Sequence, residues 1–197
     1  MLKVTIIGVD LAKNVFQLHG ATADGKVVFR KKLTRPLFER FMAGHHPCTV
    51  AMEASAGAHH WARKFTRYGY QVRLIAPHYV KPFLKRQKND AADAEAIVEA
   101  ALRPTMRFVE PKTAEQQAQA VAFRMREQLL KQRTESINAL RGYLYEFGYI
   151  APEGIAHVPD LAKIVKDRRS DLPDLVRDLC KKVLTERKPI SIWLMHI

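Results

Sequence analysis

The sequence predicts an α/β protein in which a mixed sheet is followed by a long helix and several shorter helices. Three observations predict this class. Short apolar segments with β-branched residues recur through the first third of the chain, and helical segments separate the later ones. One helical pattern then continues from Thr113 to Phe147. Hydrophobic residues make up 47% and charged residues 27% of the chain, which is typical of globular proteins.

The first part of the chain contains five predicted strands. Their bounds are Val4 to Val9, Val15 to Ala21, Lys26 to Leu33, Thr49 to Met52 and Gln71 to Ala76. Asp24-Gly25 favours a hairpin between the second and third strands, so the sheet should begin antiparallel. Helices are predicted from Pro36 to Gly44 and from Ala56 to Tyr68. Three strands, a helix, a strand, a helix and a strand follow the order used by ribonuclease-H-like folds.

The second part of the chain is predicted to be helical. Ala91 to Leu102 is rich in alanine and ends before Pro104, and shorter helices are predicted over Leu161 to Val165 and Leu172 to Leu184. A helix as long as Thr113 to Phe147 favours a coiled coil, formed within the chain or between two copies. We therefore predict three regions: a ribonuclease-H-like domain over residues 1–105, a coiled-coil region over 106–150, and a helical segment over 151–197 that begins a truncated C-terminal part.

The charge balance favours a polyanionic partner. Lysine and arginine number 33 against 20 acids, which gives a net charge of +13 and a pI near 9.9. Much of the excess lies between Trp61 and Asp90, where aromatic residues are interleaved with cations that can contact phosphates. A solvated helix face with ordinary core aromatics remains the alternative. The candidate nucleic-acid-binding residues are Arg63, Lys64, Arg67, Lys85, Arg86 and Lys88.

Several classes of protein are disfavoured by the composition. No apolar run approaches the roughly 20 residues that span a bilayer, and the first residues do not form a secretory signal. Two cysteines, Cys48 and Cys180, do not support a disulfide scaffold and fit a reducing compartment. We therefore expect a cytoplasmic protein that is not associated with a membrane.

Two acids lie where predicted strands end. Asp10 follows Ile-Ile-Gly-Val and Glu53 follows Thr-Val-Ala-Met, near the middle of the predicted sheet. A carboxylate is costly to bury there unless it is paired or bound to a metal. Acids at the ends of neighbouring strands can hold a divalent cation, and Mg²⁺ prefers carboxylate and phosphate oxygens. Taken singly, each acid could equally be a turn or capping residue.

A second acidic pair opens the alanine-rich helix. Asp90 and Asp93 are three residues apart, so both lie on one helix face. Acids in a first helical turn also interact favourably with the helix dipole, and Asn89 or Asp90 would make a good N-cap. Capping alone could therefore explain one of these aspartates.

The four acids taken as a set carry a resemblance. They could bridge two metal ions about 4 Å apart, of which one activates an attacking water or hydroxyl and the other stabilises the leaving oxygen. In sequence order they resemble the DEDD motif of the insertion-sequence (IS) 110 family of transposases. The matching segments are Gly-Val-Asp10-Leu-Ala-Lys, Ala-Met-Glu53-Ala-Ser and Lys88-Asn-Asp90-Ala-Ala-Asp93-Ala-Glu-Ala-Ile, with helical segments at Arg126 to Thr134 and Asn138 to Gly148.

This resemblance implies a RuvC-like domain of the ribonuclease-H superfold. It implies that Asp10, Glu53, Asp90 and Asp93 are catalytic residues that bind Mg²⁺ or Mn²⁺. It also implies a coiled coil that assembles dimers or tetramers, and a structured guide RNA that pairs with donor and target DNA. A protein of this kind would act in the cytoplasm of a bacterium or archaeon, in association with the nucleoid. Family members carry a further C-terminal domain with a serine that becomes joined to DNA, so we expect this chain to be a transposase fragment.

Two other functions remain open at this stage. A Holliday-junction-resolvase-like nuclease would share the four acids and would need no RNA. A non-catalytic nucleic-acid-binding dimer, acting as a truncated regulator, would bind without divalent metal. The pairs His45-His46 and His59-His60 lack the Cys/His spacing that is typical of zinc sites.

Overall fold

The computed structural model describes residues 3–84 and 90–194, with the backbone alone at 90–91 and 186–194. In it the chain divides into two units, Met1–Gln117 and Ala118–Ile197. Each unit has its own buried apolar residues. Among the described helices, none is long and apolar enough to cross a bilayer.

A six-stranded mixed sheet forms the centre of the first unit. Its strands are β1 (Ile6–Asp10), β2 (Val15–Ala21), β3 (Val27–Thr34), β4 (Thr49–Glu53), β5 (Gln71–Ile75) and β6 (Phe108–Val109). They are arranged in the order β3-β2-β1-β4-β5-β6. The first three strands pair antiparallel, and β4 and β5 continue parallel to β1. This arrangement confirms the predicted ribonuclease-H-like sheet, and β6 adds an antiparallel edge that the sequence did not predict.

Helices cover both faces of this sheet. They are α1 (Arg35–Gly44), α2 (Ala58–Arg67), α3 (Pro77–Val80) and α4 (Asp90–Ala101). Side chains of α1 and α2 pack in one apolar cluster with Ile7, Val9 and Met52. Side chains of α4 pack in a second cluster with Ile6 and Ala51, which alternate with the first set along the strands. The two clusters therefore lie on opposite faces of the sheet.

The sheet and α4 approach closely at a glycine. A Cβ added to Gly8 would lie 2.6 Å from Val98 Cγ2 and would also collide with the backbone oxygen of Ala94. Alanine residues dominate this side of α4, which lets its backbone lie close to β1. Glycine within a strand commonly marks such a close approach. Gly8 therefore fixes the position of α4 on the sheet.

The predicted long helix is α5, which runs over Ala114–Tyr145. It begins with a reciprocal capping box: Gln116 N–H donates to Thr113 Oγ1, and Thr113 N–H donates to Gln116 Oε1. It ends before Gly148, whose φ of 79° suits the left-handed backbone found after helices. The sequence prediction for this helix is confirmed to within two residues at each end.

The second unit packs two shorter helices, α6 (Val158–Lys166) and α7 (Asp174–Leu194), with the C-terminal half of α5. Leu140, Leu144 and Leu161 are at most 1% exposed in its core. Arg177 is buried beside this core, where its guanidinium donates hydrogen bonds to four backbone carbonyls and a hydroxyl. The acceptors are the carbonyl oxygens of Val165, Asp167, Ser170 and Leu172 and the Oγ of Ser170.

Candidate functional site

Asp10 and Glu53 end adjacent parallel strands on the same face of the sheet. Val9 of β1 pairs with Met52 of β4, so the next residues of the two strands, Asp10 and Glu53, are in register. Side chains alternate along a strand, and Gly8 faces α4. Asp10 lies two residues further along and therefore faces the same side. Ala51 packs with α4, which places Glu53 on that side as well.

Asp93 lies on the helix that covers this face. It is one residue before Ala94, whose backbone carbonyl lies against Gly8. Burial raises the pKa of the Glu53 carboxyl above its ordinary value, and the negative charge of Asp93 raises it further. Both causes disfavour the ionised form of the Glu53 side chain when no cation is bound. The structure thus brings an electrostatically coupled pair of acids to the end of β4.

Asp90 begins α4, and its side chain lies outside the described part of the structure. It is one helical turn before Asp93, so the backbone places both residues on one side of the helix. Within residues 3–84 and 92–185, no three side chains of His, Cys, Asp or Glu come close enough together to hold a metal ion. The described residues therefore place Asp10, Glu53 and Asp93 on the side of the sheet that α4 covers, without showing a complete ligand set.

Arg35 organises the turn that follows Asp10. Its Nε and one terminal nitrogen donate hydrogen bonds of 3.1 and 2.9 Å to the carbonyl oxygen of Lys13. The guanidinium also lies 5.3 Å from the ring centroid of Phe16 and 5.4 Å from that of Trp61. Arg35 was not predicted from the sequence as a functional residue. The Arg-Pro pair at a helix start gave no indication of these contacts with the β1–β2 turn and with the rings of Phe16 and Trp61.

The three cations predicted on α2 lie away from the acidic face. Because α2 packs with Ile7, Val9 and Met52, it covers the side of the sheet opposite α4. Lys64 forms an ion pair with Glu39 of α1. Arg67 is exposed, and its Nε lies 3.4 Å from the backbone oxygen of Arg63. The other three predicted cations, Lys85, Arg86 and Lys88, lie outside the described residues.

Arg63 and His59 hold the backbone of Lys112, in the segment that leads into α5. An Arg63 guanidinium nitrogen donates a 2.8 Å hydrogen bond to the carbonyl oxygen of Lys112. The backbone N–H of Lys112 donates to His59 Nδ1 at 3.1 Å. These contacts give Arg63 a role in holding the backbone, which the charge pattern alone could not distinguish from phosphate binding.

The chain matches a known protein family and several curated proteins. The family model for transposases of the DEDD IS110 type matches residues 7–148. The chain is 44% identical over 181 residues to the transposase for insertion sequence element IS1328 of Yersinia enterocolitica, an alignment that covers 92% of this chain and 54% of that protein. It is 44% identical over 154 residues to the transposase for IS1111A of Coxiella burnetii, covering 78% of this chain and 42% of that protein. The chain thus spans about half the length of these curated relatives.

A search of solved structures found a RuvC protein of Thermus thermophilus in complex with a Holliday junction substrate. The superposition has a TM-score of 0.42 at 13% sequence identity, and it covers 54% of this chain and all of that one.

Proposed function

The chain belongs to the IS110 family of DEDD transposases, and from this premise we propose that its first unit cleaves DNA phosphodiester bonds in a metal-dependent step of transposition. The proposed metal ligands and catalytic residues are Asp10, Glu53, Asp90 and Asp93. One observation carries the proposal: β1 and β4 end in register with Asp10 and Glu53 on the face that α4 covers, and Asp93 on α4 raises the pKa of Glu53.

The chemistry of these donors suits a hard divalent cation. Mg²⁺ and Mn²⁺ take oxygen ligands and are commonly held by a small number of carboxylates together with phosphate oxygens. The proximity of Glu53 and Asp93 concentrates negative charge in a partly desolvated place, and a bound cation would remove that repulsion. When bound, Mg²⁺ or Mn²⁺ supplies an activated water or hydroxyl and stabilises the leaving oxygen.

The residues of the chain contribute a rigid frame for this chemistry. Asp10 and Glu53 are fixed by the paired ends of two strands, and Asp93 by the close contact of α4 with Gly8. Arg35 orders the turn after Asp10 through two hydrogen bonds to the carbonyl of Lys13. Sites built on rigid strands and helices hold their functional groups more accurately than sites on loops.

The partners in this proposal are nucleic acids and further copies of the chain. A net charge of +13 supports binding to DNA, and we extend the proposal to a structured guide RNA. Helix α5 exposes at least about half of three large apolar side chains, Val121, Phe123 and Met125. Exposed apolar side chains support assembly of a dimer or tetramer through this helix. The place of action would be the cytoplasm, in association with the nucleoid.

Calorimetric titration of the chain with Mn²⁺ and Mg²⁺ tests the proposed ligands directly. We expect the wild-type chain to bind these ions and the variants Asp10→Asn and Asp93→Asn to lose the binding. Each substitution takes away an anionic oxygen ligand and leaves the shape of the side chain nearly constant. Glu110→Gln, which changes an exposed acid elsewhere in the first unit, is the matched control and should bind like the wild type. Equal binding by all four proteins would place any metal site elsewhere.

A cleavage assay on branched DNA tests the activity. With the acids as catalytic ligands, Asp10→Asn and Asp93→Asn should abolish metal-dependent cleavage and leave DNA binding in EDTA largely intact. DNA binding by the wild-type chain without any cleavage in Mg²⁺ or Mn²⁺ would instead support a non-catalytic regulator. Cleavage that persists in either variant would contradict the assigned site.

The predicted phosphate contacts before the acidic pair have a separate test. Replacing Lys85, Arg86 and Lys88 together by Gln should lower the slope of log affinity against log salt by about three units, since each lost phosphate contact removes roughly one. The measurement is fluorescence anisotropy with labelled duplex DNA over a series of salt concentrations. An unchanged slope would show that these three cations do not contact phosphates.

A further inference from the structure

The second unit contains a polar cleft that lies outside the proposed cleavage site. It has a volume of about 340 Å³ and lies between the middle of α5 and the turn that follows this helix. Its lining includes Arg133, Thr134, Asn138 and Arg141 of α5, with Glu153 and Gly154 of the turn. Two arginines, two neutral hydrogen-bonding side chains and one glutamate therefore line this cleft, together with the apolar side chains of Ile137 and Ile155.

Arg133 is the side chain in this cleft whose hydrogen bonding is incomplete. Its Nε is buried and has no hydrogen-bond partner among the described residues. A buried donor without a partner costs free energy, and most such groups in folded proteins find an acceptor. No ion pair to Arg133 is present in the described part of the chain. Among the described residues, the charge of Arg133 is therefore not paired with a carboxylate, although Glu153 lines the same cleft.

Arg141 adds a second positive charge in a fixed position. Its guanidinium donates hydrogen bonds to the carbonyl oxygens of Pro152 at 3.2 Å and Gly154 at 2.6 Å, and to Asn138 Oδ1 at 3.1 Å. These acceptors are neutral, so they orient the group without cancelling its charge. Binding an anion beside Arg141 would therefore need little reorganisation of the side chain.

Arg177, which is buried beside the core of the same unit, is an arginine whose hydrogen bonds are satisfied within the chain. Arg177 reaches five oxygen acceptors, four of them backbone carbonyls, and so has a structural role. Those five bonds come from its two terminal nitrogens, whereas no hydrogen bond from the Arg133 guanidinium to another described residue is present, and the Arg133 Nε is buried. The difference favours an external ligand at Arg133.

The size and chemistry of the cleft select the class of that ligand. Two guanidinium groups beside hydroxyl and amide side chains are suited to phosphate oxygens, and guanidinium binds them through paired N–H donors. Glu153 contributes one negative charge to the lining against the two arginines, which leaves an excess of positive charge in the cleft. We propose that the cleft binds a backbone phosphate of a nucleic acid strand, with Arg133 as the principal donor.

This site extends the nucleic-acid function proposed above and rests on it, but not on cleavage. Phosphate contacts fix the position of a strand and do not read its sequence. The Arg133 cleft would therefore hold a strand on the second unit, while the acids act in the first. DNA and RNA share the phosphate chemistry, and the test separates them.

The test measures binding of labelled single-stranded DNA and RNA of the same sequence to the full chain in EDTA, by fluorescence anisotropy over a series of salt concentrations. Arg133→Gln should weaken binding about tenfold and lower the salt slope by about one unit, since a charge-assisted phosphate contact is lost. Arg133→Lys should keep the slope and lose part of the affinity, because the charge remains and the paired donors do not. Glu153→Gln should strengthen binding.

Arg168→Gln is the matched control, since it removes the charge of an exposed arginine of the same unit that does not line the cleft. It should behave like the wild type for both strands. If Arg133→Gln weakens the binding of one of the two strands, DNA or RNA, more than that of the other, the more affected strand is the one that supplies the phosphate. Binding by Arg133→Gln within twofold of the control, for both strands, would overturn the proposal. A changed oligomeric state of Arg133→Gln in light scattering with unchanged nucleic-acid binding would also overturn it, in favour of a protein carboxylate.

The measurement does not depend on metal or on catalysis. If cleavage fails and the Arg133 effect is present, the proposed catalytic site is wrong and the cleft stands. If Asp10→Asn abolishes cleavage and the Arg133 effect is absent, the catalytic proposal stands and the cleft is wrong.

Discussion

Tyr70 holds the end of α1 through one buried hydroxyl group. It is 4% exposed, and its hydroxyl lies 2.7 Å from the carbonyl oxygen of Met42 and 3.1 Å from that of His45. Burial raises the pKa of Tyr70 to about 12, with a further contribution from Cys48. The hydroxyl therefore stays protonated in the folded protein at a pH where a free tyrosine has ionised.

This raised pKa predicts a loss of stability in alkali. Between about pH 10 and pH 12 the unfolded chain releases the Tyr70 proton and the folded chain retains it, so the free energy of unfolding falls as the pH rises. Tyr70→Phe should cost about 1 kcal/mol at neutral pH, where it leaves carbonyls without a donor. It should also flatten the alkaline loss. Urea unfolding at a series of pH values measures both effects.

The matched control for this prediction is Tyr143→Phe, because Tyr143 is 56% exposed. It should leave the alkaline dependence of the wild type unchanged. Parallel stability curves for the wild type and Tyr70→Phe above about pH 10 would contradict the assignment of this dependence to Tyr70.

At the scale of elements, the contact of α4 with β1 depends on the absence of a side chain at Gly8. Gly8→Ala would force Val98 and the Ala94 backbone away from the sheet. We expect a loss of about 1–3 kcal/mol, which is typical of an overpacked core. We also expect weaker Mn²⁺ binding, because Asp93 would move with α4. Thermal unfolding and calorimetric titration test the two effects.

Gly44→Ala is the control for this prediction. Gly44 ends α1, and a Cβ added there meets no atom within 4 Å. This variant should be neutral or slightly more stable, since alanine loses less backbone entropy in a helix than glycine. A Gly8→Ala protein as stable as Gly44→Ala would show that α4 is not held at this distance.

The elements differ in how far the sequence could predict them. The first five strands and α5 follow strong periodicity, a hairpin dipeptide and clear end signals, and their order is confirmed. The two-residue β6 and the short α3 are too brief to show a period. The position of α4 on the sheet was also not predictable, since its buried face is largely alanine and gives a weak apolar pattern.

The candidate site shows the same division. Asp10 and Glu53 were predictable as strand-end acids, because apolar residues precede both. Gly8 carried a signal that could have predicted the close approach of a helix, namely a glycine inside a buried strand. Arg35 and the lining of the Arg133 cleft could not be identified from spacing, because both depend on backbone segments that lie apart in the sequence.

At the scale of the whole molecule, two separate cores divide the stability of the chain. Phe65 belongs to the core of the first unit and Leu161 to that of the second, and each is fully buried. We expect Leu161→Ala to cost about 2–5 kcal/mol in the second unit and to leave the protection of β1 and β4 unchanged. Phe65→Ala should have the converse effect. Hydrogen exchange with resolution of individual peptides makes the measurement.

The two substitutions control for each other, since both empty a fully buried position. Loss of protection throughout the chain in both variants would show that the units unfold as one. Separate losses would support the division into Met1–Gln117 and Ala118–Ile197.

The order of the strands also bears on how the protein is made. β1 leaves the ribosome early, but its neighbour β4 and the covering helix α4 are synthesised much later. Synthesis proceeds at roughly 5–20 residues per second, so seconds separate Asp10 from Asp93 during translation. A nascent chain that ends before α4 cannot bring these acids together. The proposed nuclease would therefore be inert during the early part of its own synthesis, and would gain its active site only after α4 has emerged from the ribosome.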